Sequence, residues 1–152
     1  MMDLSWKQQI YDESIKVISE KIAHAKSAMQ AAQEAANTEE KSSMGDKYET
    51  GRAMSQLAKD MNAKQMVAFQ NELNHLQKLS QLHPSKTVSS GALVQTEQGY
   101  FFIAAAIGSI SINQVKIMVL SSETPLSQAL WGKKAGDVYE LNGKKSKILG
   151  IV

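Results

Sequence analysis

Two kinds of periodicity divide the chain. Ile15, Ile18, Ile22, Ala25, Met29, Ala32 and Ala36 recur at alternating steps of three and four residues. That is the a/d stripe of a helix that packs against another helix. Leu4 and Tyr11 extend it backwards, and Lys, Glu, Gln and Ser fill the other faces. A break rich in Asn, Thr, Ser and Gly follows over 37–45. A second helical stretch then carries Met54, Leu57 and Met61 on one stripe, and Met66, Phe69, Leu73 and Leu76 after a phase slip. Neither helix can bury its stripe alone, so the two are predicted to pair as an antiparallel coiled-coil hairpin. Pairing between chains is the alternative.

After His83-Pro84-Ser85 the period changes to that of strands. Apolar runs occupy 91–96, 100–107, 110–112, 115–120, 138–141 and 144–152. Glu97-Gln98-Gly99 and Asn142-Gly143 mark hairpins, the second being the stronger two-residue signal. One short helix interrupts the strands, with Thr124 as N-cap, Pro125 at the first helical position and Gly132 at the exit. The predicted fold class is α+β: a helical hairpin over 1–83, with its tip near 38–51, and a small antiparallel β domain over 84–152.

Composition sharpens this division. Both Pro and seven of the nine Gly lie in 84–152. The first part has 10 basic and 11 acidic residues, and the second has 7 and 4. A near-balanced total of 17 against 15 gives no bulk electrostatic reason to bind nucleic acid. Zero Cys removes disulfides, thiolate metal sites and every Cys nucleophile, and with them thiol proteases and condensing enzymes. The N-terminal Met-Met-Asp-Leu-Ser-Trp-Lys lacks the basic and apolar regions of a signal peptide, and no apolar run is long enough for a membrane span. The expectation is a cytoplasmic monomer with no membrane partner.

Candidate chemistry is sparse. His24, His75 and His83 show no metal-ligand spacing. No phosphate-binding Gly loop or nucleophile elbow is present. Lys144, Lys145 and Lys147 read as a solvated strand face or as a weak patch for an acidic partner or RNA. The predicted tip is more informative. Glu39, Glu40, Asp46 and Glu49 gather there, and clustered carboxylates repel unless a cation is supplied. A capping box, with Asp46 as cap and Glu49 three residues on, accounts for two of them without any ligand. Ala25, Ala28, Ala32 and Ala36 let the helices approach closely toward that end, so little is buried there. The tip is therefore not expected to exist for stability.

Two motifs and the order of the parts resemble the Gre-type bacterial transcript cleavage factors. The first runs from Ser121 to Asp137, with Thr124-Pro125 opening a short helix, then Leu130-Trp131-Gly132-Lys133 and Gly136-Asp137. In the family Ser-Pro stands at the opening and an aliphatic residue replaces Trp131. The second is Gly45-Asp46-Lys47-Tyr48-Glu49, which keeps the family's Gly, Asp and Glu spacing. Thr50-Gly51-Arg52 then departs from it. The resemblance covers the whole chain and implies an FKBP-like C-terminal domain. It also implies RNA polymerase as partner, with the coiled coil in the secondary channel and indirect contact with nascent RNA. Asp46 and Glu49 would be the catalytic, metal-facing pair for a Mg²⁺ ion shared with the polymerase; Glu39 and Glu40 are the second choices. Pro125, Leu126, Trp131, Lys133, Lys134 and Asp137 would dock the partner. Such a factor stimulates hydrolysis by the polymerase and is not an enzyme alone. A channel-binding regulator without cleavage and an unrelated coiled-coil interaction module are the competing readings.

Overall fold

The computed structural model describes residues 2–40 and 45–152, with side chains for 2–38 and 51–152. Helix α1 spans Leu4–Glu40 and helix α2 spans Gly45–Gln77. Six strands and one short helix follow: β1 Leu93–Thr96, β2 Gly99–Ile103, β3 Gly108–Ile112, β4 Val115–Leu120, α3 Pro125–Leu130, β5 Val138–Leu141 and β6 Lys144–Ile151. The chain divides into two compact units. One joins residues 1–17 to 72–152, and the other is 18–71.

In the 18–71 unit α1 packs with the predicted face. Ile18, Ala25 and Ala36 are buried, and Ile22, Met29 and Ala32 are half-buried. The predicted break at 37 begins later, because α1 continues to Glu40. Gln33 Nε2 donates to Asn37 Oδ1 at 3.0 Å, and Thr38 Oγ1 donates to the Glu34 carbonyl at 3.0 Å. Both are i,i+4 contacts that carry the helix through residues otherwise suited to a turn.

Helix α2 corrects the predicted stripe. Met54, Leu57 and Met61 are 67%, 61% and 61% exposed. Half-buried positions include Ser55, Ala58, Lys59, Asn62, Ala63, Met66 and Phe69. The face of Met66 and Phe69 runs back through Asn62 and Ser55 at helical spacing, and the large apolar residues lie off it. Asn62 Nδ2 satisfies itself on the Ala58 carbonyl at 2.9 Å, so an amide is tolerated on that face. Lys59 Nζ donates to Gln33 Oε1 across the pair, and the Lys21 ammonium lies 5.9 Å from the Phe69 ring centroid.

In the other unit the strand order is β3-β4-β2-β1-β6-β5. The sheet is mostly antiparallel, but β2 and β4 are parallel, which corrects the expectation of a wholly antiparallel one. The reason is the path after Ile103. The chain bends over Ala104–Ile107, lays β3 at the edge, and turns at Asn113-Gln114 so that β4 returns between β3 and β2. The predicted strand over 100–107 therefore ends at Ile103. The Asn142-Gly143 turn is as predicted, with both residues at positive φ (53° and 78°).

Side-chain alternation gives the sheet two covered faces. Val94, Ile103, Tyr139 and Ile148 form one core with Val88, Ala92 and Leu130 of α3. Tyr100 points the other way and meets the Trp6 ring edge-on, with centroids 4.9 Å apart. On that side polar contacts fix α1 and the end of α2. Tyr11 Oη donates to the Leu76 carbonyl at 2.8 Å. The Glu72 carboxylate accepts from the Ala106 amide at 2.7 Å. Leu4, expected to extend the stripe, is exposed, and buried Lys7 takes the inward position one turn on.

Lys7 is 1% exposed, and its ammonium donates to the main-chain oxygens of His83 (2.8 Å) and Val152 (2.9 Å). Burial lowers its pKa from 10.5 to about 8. Below pH 8 the folded protein holds a desolvated cation. Between 8 and 10.5 the folded state sheds that proton while the unfolded chain keeps it, so stability rises with pH. Tyr11, raised by burial and by Asp12, acts oppositely in more alkaline solution. Stability of the wild type relative to Lys7→Met is expected to rise by about 1–2 kcal/mol from about pH 7.5 to about pH 9.5 in denaturant unfolding. A flat difference contradicts the buried-cation account.

Two substitutions test the helix face and the turn. Leu57→Ala is expected to change stability by no more than about 0.5 kcal/mol, because it lies off the packed face. Leu76→Ala, fully buried, is expected to cost about 2–5 kcal/mol. Gln114 has φ 69° without being Gly. Gln114→Gly relieves that backbone at some entropic cost and is expected to stabilise by about 0.5 kcal/mol, read as a higher Tm.

Candidate functional site

Two regions carry the candidate residues. The first is where α1 ends and α2 begins. Asp46 and Glu49 lie inside the first turns of α2, so the backbone puts Asp46 past the cap position that a capping box requires. Their side chains, and those of Glu39 and Glu40, lie outside the described residues. Among the described residues no three His, Asp or Glu gather as a metal site. Gly51 continues the helix and is half-buried.

The second region surrounds α3, and its local order follows from two hydroxyls. Thr124 Oγ1 caps the helix by accepting from the Ser127 amide at 3.1 Å. Ser127 Oγ, buried, donates to the Ser121 carbonyl at 2.7 Å. Thr124 Oγ1 donates to Ser127 Oγ at 2.8 Å. Pro125 is exposed at the first helical position. Gly132, at φ 77°, turns the chain out of the helix.

The structure separates the six predicted docking residues by what they do. Leu126 packs against the core of the sheet. The Asp137 carboxylate accepts from the Lys134 amide at 2.9 Å, and the Asp137 amide donates to the Lys134 carbonyl at 3.0 Å. This closes the turn that leads into β5, so Asp137 has a structural use whatever binds nearby. The Lys133 carbonyl accepts from Val88 at 2.8 Å, and Lys134 bridges to Thr87. Pro125, Trp131 and Lys134 are left exposed. Trp131 is 47% exposed and lines an open cavity of about 380 Å³ with Ser122 and Gln128.

The three-lysine cluster is split by the strand. Lys144 and Ser146 share one face of β6, opposite Leu141 and Tyr139 of β5, while Lys145 and Lys147 point to the other face. His75 Nδ1 lies 3.8 Å from the Glu72 carboxylate. His83 lies beyond α2 and serves through its carbonyl. Sequence periodicity missed the exposed Met54-Leu57-Met61 face, because apolar residues at helical spacing do not say which side meets the partner helix. It also missed Lys7, whose charge argues for solvent and for which only a three-dimensional count of carbonyls argues otherwise.

Compared with protein-family models and with curated proteins, the chain matches none. Among the described residues no helix is long and apolar enough to cross a membrane.

Proposed function

We propose that the protein binds RNA polymerase, with its helical pair in the secondary channel, and assists Mg²⁺-dependent cleavage of backtracked RNA. The observation that carries this reading is the Gly45-Asp46-Lys47-Tyr48-Glu49 motif at the start of α2. It stands beside the motif from Ser121 to Asp137, which forms a capped helix followed by a closed turn. Two paired helices of 37 and 33 residues, followed by a six-stranded sheet with one short helix, agree with the parts such a factor needs. An FKBP-like identity for the sheet domain belongs to the same proposal.

The residues present fit a hard divalent cation. Asp46 and Glu49 stand three apart in the sequence of one helix, the spacing of neighbouring helical positions. Carboxylate oxygens are the donors Mg²⁺ prefers. When bound, the ion supplies charge neutralisation and an activated water for phosphodiester hydrolysis. The chain's own part is to present Asp46 and Glu49, with Glu39 and Glu40 as the second-choice carboxylates. Exposed Pro125, Trp131 and Lys134, with half-buried Lys133, form the surface we assign to docking.

A second reading, channel binding without cleavage, is favoured by one observation. Thr50-Gly51-Arg52 places a cation where the family carries an acid and an aromatic residue. One experiment separates the two. Added to a halted, backtracked elongation complex, the protein is expected to shorten the RNA only with Mg²⁺ present. Asp46→Asn with Glu49→Gln is expected to abolish shortening while polymerase binding persists. Binding without any shortening by the wild type gives the regulator. No binding at all sinks both readings and leaves an interaction module for another partner.

A further inference from the structure

A cavity of about 380 Å³ opens between α3 and the β5–β6 hairpin. Its walls come from five separate segments: Gln98 after β1, Phe101 on β2, Leu126 on α3, Tyr139 and Leu141 on β5, and Lys144 and Ser146 on β6, with Asn142 at the turn. The size is within the range of small-ligand sites, which are mostly apolar with a few convergent polar groups. Phe101, Leu126 and Leu141 are only half-buried here, so their apolar surface is left facing the opening.

The polar atoms of the floor are already engaged with each other. Tyr139 Oη donates to Thr96 Oγ1 at 3.2 Å. Gln98 Nε2 donates to Ser146 Oγ at 3.0 Å. Lys144 is different: its ammonium reaches Gln98 Oε1 at 3.5 Å, the outer limit of a hydrogen bond, and among the described residues no carboxylate lines the cavity. Glu140 faces the opposite side of β5. The cavity therefore offers two aromatic side chains, two leucines and one cation at its rim.

We propose that this cavity binds a small aryl carboxylate, its ring between Phe101, Tyr139 and Leu126 and its acid on Lys144. Aromatic walls favour a ring by edge and offset contacts, and the lone ammonium selects an anionic end. The inference is independent of polymerase binding, since it uses none of the tip residues and none of the exposed docking surface.

The test is an NMR titration of the full chain with 3-phenylpropanoate and with its neutral amide. Both are expected to shift amides around Tyr139, Leu141 and Lys144, with the acid binding about fivefold more tightly, as one solvated ion pair allows. Lys144→Gln, at an exposed position, is expected to remove that preference and leave amide binding unchanged. Leu141→Trp is expected to fill the cavity and block both, with the amide spectrum elsewhere unchanged. The proposal is overturned if the acid gives no saturable shift at these residues, if Lys144→Gln keeps the preference, or if the amide or an uncharged apolar peptide binds better than the acid.

Discussion

A buried ammonium with main-chain oxygen partners organises the sheet-bearing unit. Lys7 must lie where main-chain oxygens converge, because a cation out of water is costly unless its protons are taken up. His83 follows α2 and Val152 follows β6, so one side chain ties the start of α1 to two distant points of the chain. The neighbouring contacts obey the same geometry. Trp6 reaches Tyr100 one residue before Lys7, Tyr11 reaches Leu76 about one turn after it, and Glu72 meets the Ala106 amide. The first 17 residues thus belong with the β-strands despite their helical sequence. Composition changes at Pro84, but packing is decided by where side chains find partners.

The helical pair shows how far a periodic pattern can be trusted. The α1 stripe was legible because one continuous 3-4 series runs from Ile15 to Ala36 without a phase slip. In α2 two series compete. Met54, Leu57 and Met61 have the greater hydrophobicity, whereas Ser55, Ala58 and Asn62 keep phase with Met66 and Phe69. Phase wins because a rigid helix cannot rotate halfway along to present a second face. Small residues on that face also match Ala25, Ala32 and Ala36 opposite, which favour a close approach over a bulky seam. The three exposed large side chains then need another explanation than the hairpin, and channel walls are one under the proposed function.

The β part was more legible than the helices, strand by strand. Hairpin turns are read from residues that accept positive φ, and Asn142-Gly143 announces itself. Asn113-Gln114 does not, since Gln is a poor candidate for φ 69°. The parallel β2–β4 pair was hidden for a related reason: Gly108, at φ 99°, marks where the bend over Ala104–Ile107 ends, but not which strand the later run joins. Site residues divide in the same way. Thr124, Pro125 and Gly132 were readable from local capping chemistry. The cavity beside Lys144 was not, because its walls come from segments up to 48 residues apart, as in the Gln98–Ser146 contact.

The functional account stands or falls on where the start of α2 goes when the protein meets RNA polymerase. A photo-crosslinking residue substituted at Lys47, between the two candidate carboxylates, measures this directly. With halted, backtracked complexes the account predicts crosslinks to the RNA 3′ segment or to the catalytic subunit beside its active-centre Mg²⁺. Crosslinks confined to the outer surface of the polymerase, or none at all under conditions where the protein binds, would contradict it.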